Sequence, residues 1–309
     1  MQIITDPTDL KGIEIVATVG FFDGVHLGHR HLIEKMQETA RMHHLPTAVI
    51  TFSQHPRQVL QADFQPKLLN SFEEKTAHLA ETGIDYCIVL DFTVALSRLN
   101  AQAFICSILA EKLQAKIVFI GYDHRFGHDR IDGFEQYKLY GASCGIEMIN
   151  ASSYKEGEIN VSSSEIRRLL MQGQVEKAEH MLTYPYLIKG HIVHGHKVGH
   201  KLGFPTANIQ VDEPFKVIPA IGVYAVKVML EGKSYNGMLY IGNRPTLNNG
   251  ENISLEVNIF DFSAEVYNSS ITVAFKQYIR GDIKFDSLDD LIAQLERDRE
   301  EVGKVLMHD

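Results

Sequence analysis

The stretch Gly20-Phe-Phe-Asp-Gly-Val-His-Leu-Gly-His29 concentrates glycine and histidine at a spacing that suits phosphate chemistry. Gly20, Gly24 and Gly28 let the backbone come close to an anion, and a helix opening here would aim its first N–H groups and its dipole at the same place. His26 and His29, three apart at such a helix start, present both rings to one spot. In-line attack on an α-phosphate needs donors for the charge developing on non-bridging and leaving oxygens. Two imidazoles supply them without a covalent intermediate. Two readings rival this one: a glycine turn with incidental histidines, against which stand its place between strand and helix and Asp23 beside it, and a zinc site on His26, His29 and His31, which no H-E-x-x-H and no matching carboxylate accompany.

Other polar groups fall where they could join that loop. Thr51-Phe-Ser-Gln-His-Pro-Arg57 and Gly121-Tyr-Asp-His-Arg-Phe-Gly127 each follow an apolar run, and Ser162, Ser163 and Ser164 cap a helix that carries Arg167. A capped helix start with a cation is a plausible clamp for a leaving pyrophosphate, as well as an ordinary cap.

A second constellation lies in Gly203-Phe-Pro-Thr-Ala-Asn208. In an extended chain Thr206 and Asn208 project to one face and Ala207 to the other, and their oxygens suit a hard Mg²⁺ that also binds ATP phosphates. Gly195, Gly199 and Gly203, with Lys197 and Lys201, read as a flap, and the Walker A pattern is not matched. His191, His194, His196 and His200 are expected to be a solvated, His-rich loop and not a metal cluster. Glu256 sits mid-strand in an apolar context. Pointing into a barrel it would need a task, and beside Mg–ATP that task is general base for a hydroxyl attacking a γ-phosphate. An outward-facing Glu on a half-exposed strand is the plainer alternative.

The elements that must position these groups change character midway. Ile13, Ile15, Ala17 and Val19 alternate as in a strand that Gly20 ends, and Leu32, Ile33, Met36 and Ala40 recur at helical spacing. Strands over 48–52, 86–90, 117–120 and 146–149 alternate with helices over 72–79 and 101–113 and another after 120, which predicts a parallel sheet with helices on both faces. The strands' C-terminal ends would then form a ligand-binding rim. After two short helices over 162–182, strands over 187–193, 206–211, 223–230, 234–241, 253–260 and 271–278 follow without intervening helices, which predicts an antiparallel barrel. Asp286 is expected to cap a final helix that lids the barrel core with Leu288, Leu291, Ile292 and Leu295.

Composition sets the outer bounds. A chain of 309 residues suits two domains, and 45% apolar with 22% charged residues is a globular profile. The net charge of −9 gives no general reason to bind nucleic acid or an anionic membrane. Cys87, Cys106 and Cys144 are widely spaced, which argues against a disulfide framework and fits a reducing cytoplasm. No signal peptide is apparent, and no apolar run approaches the roughly 20 residues that span a bilayer. A cytoplasmic protein acting on small molecules is expected.

Taken in order, the loop at residues 20–29, Thr51-Phe-x-x-His55-Pro56, Gly121-x-Asp123-x-Arg125-Phe-Gly127 and Val161-Ser-Ser-Ser-x-Ile-Arg167 resemble the adenylyltransferase half of the prokaryotic bifunctional FAD synthetases. Gly203-Phe-Pro-Thr-Ala-Asn208, Pro219-x-x-Gly-Val-Tyr224, Ile241-Gly-Asn-Arg-Pro-Thr246 and Glu256 resemble their riboflavin-kinase half. The resemblance implies a Rossmann-like nucleotidyl-transferase domain with a parallel sheet over 1–184, the helical segment 162–183 included. It implies a six-stranded antiparallel kinase barrel with a terminal helix over 185–309. Riboflavin and ATP would give FMN, then FMN and ATP would give FAD and pyrophosphate, both with Mg²⁺.

By the same resemblance His26 and His29 stabilise adenylyl transfer, and Gly20, Phe21, Asp23, Gly24, Gly28, Asp123, Arg125, Ser164 and Arg167 bind its ATP. His55 and Pro56 contact its flavin. In the kinase, Gly195, Lys201, Gly203, Pro205, Thr206 and Asn208 bind ATP, with Thr206 and Asn208 also on the metal. Glu256 activates the ribityl hydroxyl there, and Tyr224 and Arg280 contact the flavin. Gln54, His124, His200 and Asn258 depart from the family's usual residues.

Overall fold

The computed structural model describes residues 1–307 apart from 62, 64, 122–124, 128–130, 153, 157–158, 196–202 and 245–251. Asp123 and His124 in the first half lie outside the described residues. So do Lys197, Gly199, Lys201, Pro245 and Thr246, and the histidines His196 and His200, in the second. Two compact units divide the chain, Met1–Ser163 and Ser164–Asp309.

The first unit is built on β1 (Gln2–Ile4), β2 (Ile15–Val19), β3 (Thr47–Phe52), β4 (Tyr86–Leu90), β5 (Ala115–Gly121) and β6 (Glu147–Ala151). They form one parallel sheet in the order β1-β4-β3-β2-β5-β6, separate from the antiparallel ladder that β7 (Lys155–Glu156) and β8 (Ile159–Asn160) make later in the chain. Their apolar runs are continuous because both faces are covered. On one face Val16, Val49, Cys87, Ile117 and Phe119 pack with Leu32, Ile33, Met36 and Ala40 of α1 (Leu27–His43) and with Leu79 of α3 (Phe72–Glu81). On the other face Ile15, Ala17, Val19, Ile50 and Ile120 meet Phe104, Ile105, Leu109 and Tyr137. Each fully buried Ile or Met stabilises the fold by about 1.5–3 kcal/mol, which fixes the sheet as a rigid base for its loops. The chain runs from β2 outward through β3 and β4, then returns to the other side of β2 as β5. That reversal opens a crevice at the C-terminal ends of β2 and β5, where this class of sheet binds ligands.

Three features of this unit differ from the sequence reading. β1 was not anticipated; three residues are too few for a periodic signal, and it pairs at the edge with β4. After α4 (Val94–Ser97), the expected helix over 101–113 is a short α-helical turn, α5 (Ala101–Ala103), that continues as a π-helix over Phe104–Lys112. Hydrophobic spacing cannot register that widening, since Phe104, Ile105 and Leu109 still reach the core. Thirdly, Cys106 on the π-helix is paired in a disulfide with Cys144 beside α6 (Phe134–Ser143), at Cα–Cα 5.5 Å. Their separation of 38 residues concealed a proximity that only the packing creates. Cys87 is a buried free thiol.

From Ser164, the second residue of α7 (Ser163–Leu170), the second unit runs on through α8 (Val175–Leu182), with Gly173 between the two helices at φ 75°. Then β9 (Leu187–Val193), β10 (Ala207–Val211), β11 (Gly222–Leu230), β12 (Lys233–Arg244), β13 (Asn252–Ile259) and β14 (Ser270–Arg280) close into an antiparallel barrel, in the order β10-β13-β12-β11-β14-β9. Tyr224, Val226, Leu239, Val257 and Phe275 are fully buried inside it. The last helix, α9 (Leu288–Met307), does not lid the barrel's interior. Its Val302 and Leu306 pack on Val223, Ala225, Met238, Tyr240 and Phe260, which alternate outward along β11, β12 and the end of β13. Leu288, expected on the packed face, is 58% exposed. Ser287, not Asp286, accepts the Asp290 N–H at 3.1 Å as the cap, because the helix begins one residue later than expected.

Candidate active sites

The loop after β2 is shaped by backbone conformations that few residues adopt. Phe22, Gly24 and Val25 have φ of 56°, 87° and 37°, so the chain turns sharply enough to put His26 at the N-cap of α1. There Nδ1 of His26 accepts the His29 N–H at 3.4 Å. An N–H can only donate, so a neutral His26 ring carries its proton on Nε2, away from the helix. The His26 and His29 rings stack with centroids 3.7 Å apart. Gly28 makes this possible, since a Cβ there would lie 3.2 Å from the His26 ring and from the Val161 carbonyl oxygen.

His29, half-buried as a residue, has a buried Nδ1 with no hydrogen-bond partner. Burial, then His26 and Lys75, hold its pKa well below 6.5, so the ring is neutral. His31 does not join the pair; its ring lies 5.3 Å from that of Tyr154. The zinc reading therefore loses its third ligand to a different direction of projection.

Neighbouring loops are tied to this one. Asp23, 5% exposed, accepts from the Leu69 N–H at 2.9 and 3.1 Å and from the Asn70 N–H at 3.2 Å, while its own carbonyl accepts from Ser163 Oγ at 2.8 Å. The carboxylate thus holds the approach to α3. The Thr51 hydroxyl donates to the Phe21 carbonyl at 3.1 Å. His55 caps α2 (Pro56–Leu60) through Nδ1 to the Arg57 N–H, and its ring meets Phe21 at 4.9 Å. So the structure brings Gly20, Phe21, His26, Gly28, His29, His55 and Pro56 to the ends of β2 and β3. Gln54 is exposed beside them. After β5, Phe126 is anchored: its N–H donates to the Tyr137 hydroxyl at 3.0 Å, and its ring stacks on Phe104 at 5.3 Å. Arg125 is exposed next to it. Ser164 and Arg167 belong to the second unit.

In the barrel the register does the assembling. Asn208 on β10 stands opposite Glu256 on β13, and Thr206 Oγ1 lies 3.3 Å from Glu256 Oε2. Glu256 also stands opposite Tyr240 on β12, and it flanks Leu255 and Val257, which are buried on the reverse side. It therefore lies on the barrel's outer, helix-covered face and not inside the barrel, which corrects the sequence expectation. A strand's two faces are equivalent in sequence when both are covered. Gly195 approaches so closely that a Cβ there would sit 2.0 Å from Asn208 Nδ2. Asn258 donates from Nδ2 to the Pro205 carbonyl at 2.7 Å and so ties down the Gly203–Pro205 turn.

A cavity of ≈ 740 Å³ adjoins this face, lined by Phe204 and Phe260 from the barrel and by Glu296, Arg299, Lys304 and Met307 from α9. Its aromatic walls and charged mouth suit a flat, amphipathic ligand. Neither Tyr224 nor Arg280 lines this cavity. Tyr224 is fully buried inside the barrel and its hydroxyl donates to the Ala220 carbonyl, with burial holding its pKa far above the ordinary tyrosine value. Arg280 donates to both oxygens of Asp298 on α9 at 2.7–2.9 Å. Of the His-rich stretch, His191 pairs with Asp212 at 2.6 Å and His194 stacks on Tyr267 at 3.9 Å.

Sequence reasoning missed Lys75, Tyr240 and the α9 cavity. Lys75 did leave a signal: Phe72, Lys75, Thr76 and Leu79 form one i, i+3, i+4, i+7 stripe, and a lysine on an apolar stripe is anomalous.

Residues 10–165 match the family model for FAD synthetase, and residues 182–306 that for riboflavin kinase. A bifunctional riboflavin kinase/FMN adenylyltransferase of Listeria monocytogenes is 38% identical over 290 residues, 94% of this chain and 91% of that protein. Its Escherichia coli K12 counterpart is 37% identical over 284 residues, 92% of this chain and 90% of that one. A crystal structure of a protein called a macrolide-efflux protein, from Streptococcus pneumoniae, superposes with a TM-score of 0.86 at 32% identity over 98% of both chains. Among the described residues no helix is long and apolar enough to cross a membrane.

Proposed function

We propose a function from one premise: the chain belongs to the family of bifunctional riboflavin kinases/FMN adenylyltransferases. It converts riboflavin and ATP to FMN in the barrel, and FMN and ATP to FAD and pyrophosphate in the parallel-sheet unit. The observation that carries the second assignment is the stacked His26–His29 pair at the start of α1, with His29 Nδ1 buried and unpartnered at the end of β2.

In adenylyl transfer an FMN phosphate oxygen attacks the ATP α-phosphorus and the bond to the β-phosphate oxygen breaks. His26 presents Nε2–H and His29 a neutral ring to the oxygens on which charge develops. The start of α1 supplies N–H groups to the same anion. Phe21, with His55 and Pro56 across from it, walls the flavin or adenine side, and Arg125 projects from the third loop. Asp23 acts by holding the loop's shape. Support for Asp123, Ser164 and Arg167 as ATP contacts is the family resemblance. The boundary at 184/185 stands on the same footing: the two family matches end at 165 and begin at 182, leaving 166–181 to neither.

In the kinase Glu256 takes the proton of the ribityl hydroxyl as that oxygen attacks the γ-phosphorus, and ADP departs. The Thr206 hydroxyl and the Asn208 amide oxygen fit a Mg²⁺ carried by ATP, because both are hard oxygen donors on the face that holds Glu256. Bound there, the ion would neutralise phosphate charge. Gly195, Lys201, Gly203 and Pro205 frame that ATP. The isoalloxazine seats in the cavity under α9, and Arg280 serves it by fixing α9 through Asp298. The need for ATP supports the cytoplasm as the place of work.

Incubating the purified chain with riboflavin and Mg–ATP and resolving the flavins by chromatography tests the reading. FAD is expected. FMN as the end product would remove the first site, and unchanged riboflavin would remove both, leaving a flavin-binding protein without turnover.

A further inference from the structure

Lys75 is 3% exposed, and its ammonium is held by neutral oxygens alone. It donates to the Phe21 carbonyl at 3.2 Å, Thr51 Oγ1 at 3.1 Å and the Phe52 carbonyl at 3.2 Å. Its Nζ also lies 4.3 Å from the Phe21 ring centroid and 5.4 Å from that of Phe72. Burying an ammonium without a bonded carboxylate is costly, and a neutral amide could donate to the same oxygens more cheaply. The charge itself must have a use. What adjoins it is the loop read above as the cradle of ATP phosphates, an interpretation on which this inference rests.

We propose that Lys75 is a positioning residue for adenylyl transfer: its ammonium clamps the phosphate loop at Phe21 to the end of β3 and sets a fixed positive charge behind His26 and His29. The clamp joins the two strand ends whose loops carry the histidine pair and His55. The charge acts on the phosphates through short distance and low dielectric. It also favours the neutral form of His29, to which it contributes after burial and His26.

Burial lowers the Lys75 pKa to about 8. The titratable groups facing it are Asp23 on the loop, His29 on α1 and Cys87 on β4. On its own helix Glu74 is engaged with the Ser71 N–H at 3.0 Å. Cys87 is pushed up to about 11 by its own burial and stays a thiol. Bound phosphates favour the ammonium and raise its pKa. The alkaline limb of kcat/KM for FAD formation, which reports the free enzyme, is therefore expected near pH 8, and that of kcat at higher pH.

The test measures both reactions of the full chain, wild type, Lys75→Met and Lys75→Arg, with thermal melting alongside. Lys75→Met is expected to lower kcat for FAD formation by roughly 10²-fold and leave FMN formation unchanged. Lys75→Arg keeps the charge, and its alkaline limb is expected to leave the assayable range. A folded Lys75→Met that makes FAD at the wild-type rate overturns the proposal. Should Lys75→Met fail to fold, Lys75→Arg decides: an alkaline limb that stays where the wild type has it overturns the proposal. A wild-type chain that makes FMN but no FAD would instead sink the reading of the first site.

Discussion

The two units reach a phosphate by different physical means. In the first, the groups proposed to act on the phosphate lie in one continuous loop, and strained backbone angles, a helix cap and non-local ties from Asp23, Thr51 and Lys75 give that loop its shape. In the second, Thr206, Asn208 and Glu256 meet only because β10 pairs with β13 in one register. A one-residue slip there would send every side chain to the other face. A loop site can be altered by changing what it is tied to, whereas a sheet site is altered by what crowds or unpins its strands.

The largest expected effects break the comparison cleanly in half. Glu256→Ala should cut FMN formation by about 10²–10⁴-fold while FAD formation from supplied FMN continues. His29→Ala should do the reverse, with about 10²–10³-fold lost from FAD formation. If either substitution in a folded chain abolished both activities in a paired assay, the two sites would not be separate.

Next in size is a loss of stability confined to the barrel. Asp298, 1% exposed, answers Arg280, so Asp298→Ala strands a largely buried guanidinium. A cost of about 3–5 kcal/mol is expected, visible as a lower melting transition for the second unit, with FAD synthesis from FMN unchanged below that transition. A single unaltered melting curve would show that the pair does not hold α9.

A smaller effect sharpens the register argument. Gly195→Ala places a methyl within 2.0 Å of the Asn208 amide nitrogen, so the amide must turn away. The KM for ATP in FMN formation should rise roughly tenfold, the equivalent of about 1.4 kcal/mol, with FAD formation untouched. An unchanged KM would mean that Asn208 does not touch the nucleotide.

The smallest effect belongs to the loop. Below pH 6.5 an unfolded chain protonates His29, whereas the folded chain does not, because its pKa is held well below that value. The contribution of His29 to stability is thus complete above pH 6.5 and is lost as pH falls toward the folded pKa. Thermal melting at neutral and mildly acidic pH should show the first unit weakening, less steeply in His29→Gln. Equal slopes would place the ring in water.

The elements that were legible share a strong local signal. The strand ending at Gly20, the helix carrying Leu32, Ile33, Met36 and Ala40, and the six barrel strands follow from periodicity and punctuation. The π-helix, the edge strand β1 and the Cys106–Cys144 pair were not legible, because spacing does not report hydrogen-bond register or long-range proximity. The shift of the α9 contact from Leu288 toward Val302 and Leu306 is of the same kind, since an amphipathic stripe does not say how far along it the partner lies.

By itself the sequence determined that residues 20–29 form a glycine-relieved, two-histidine loop at a helix start, because capping and backbone freedom are local properties of that stretch. It likewise determined that Thr206 and Asn208 share a face. Only the tertiary structure decided that Glu256 joins them on the outer face of the barrel and that Lys75 bonds the loop at Phe21. Both depend on which distant strand ends are brought together, and that is set by packing over the whole sheet and not by any single segment.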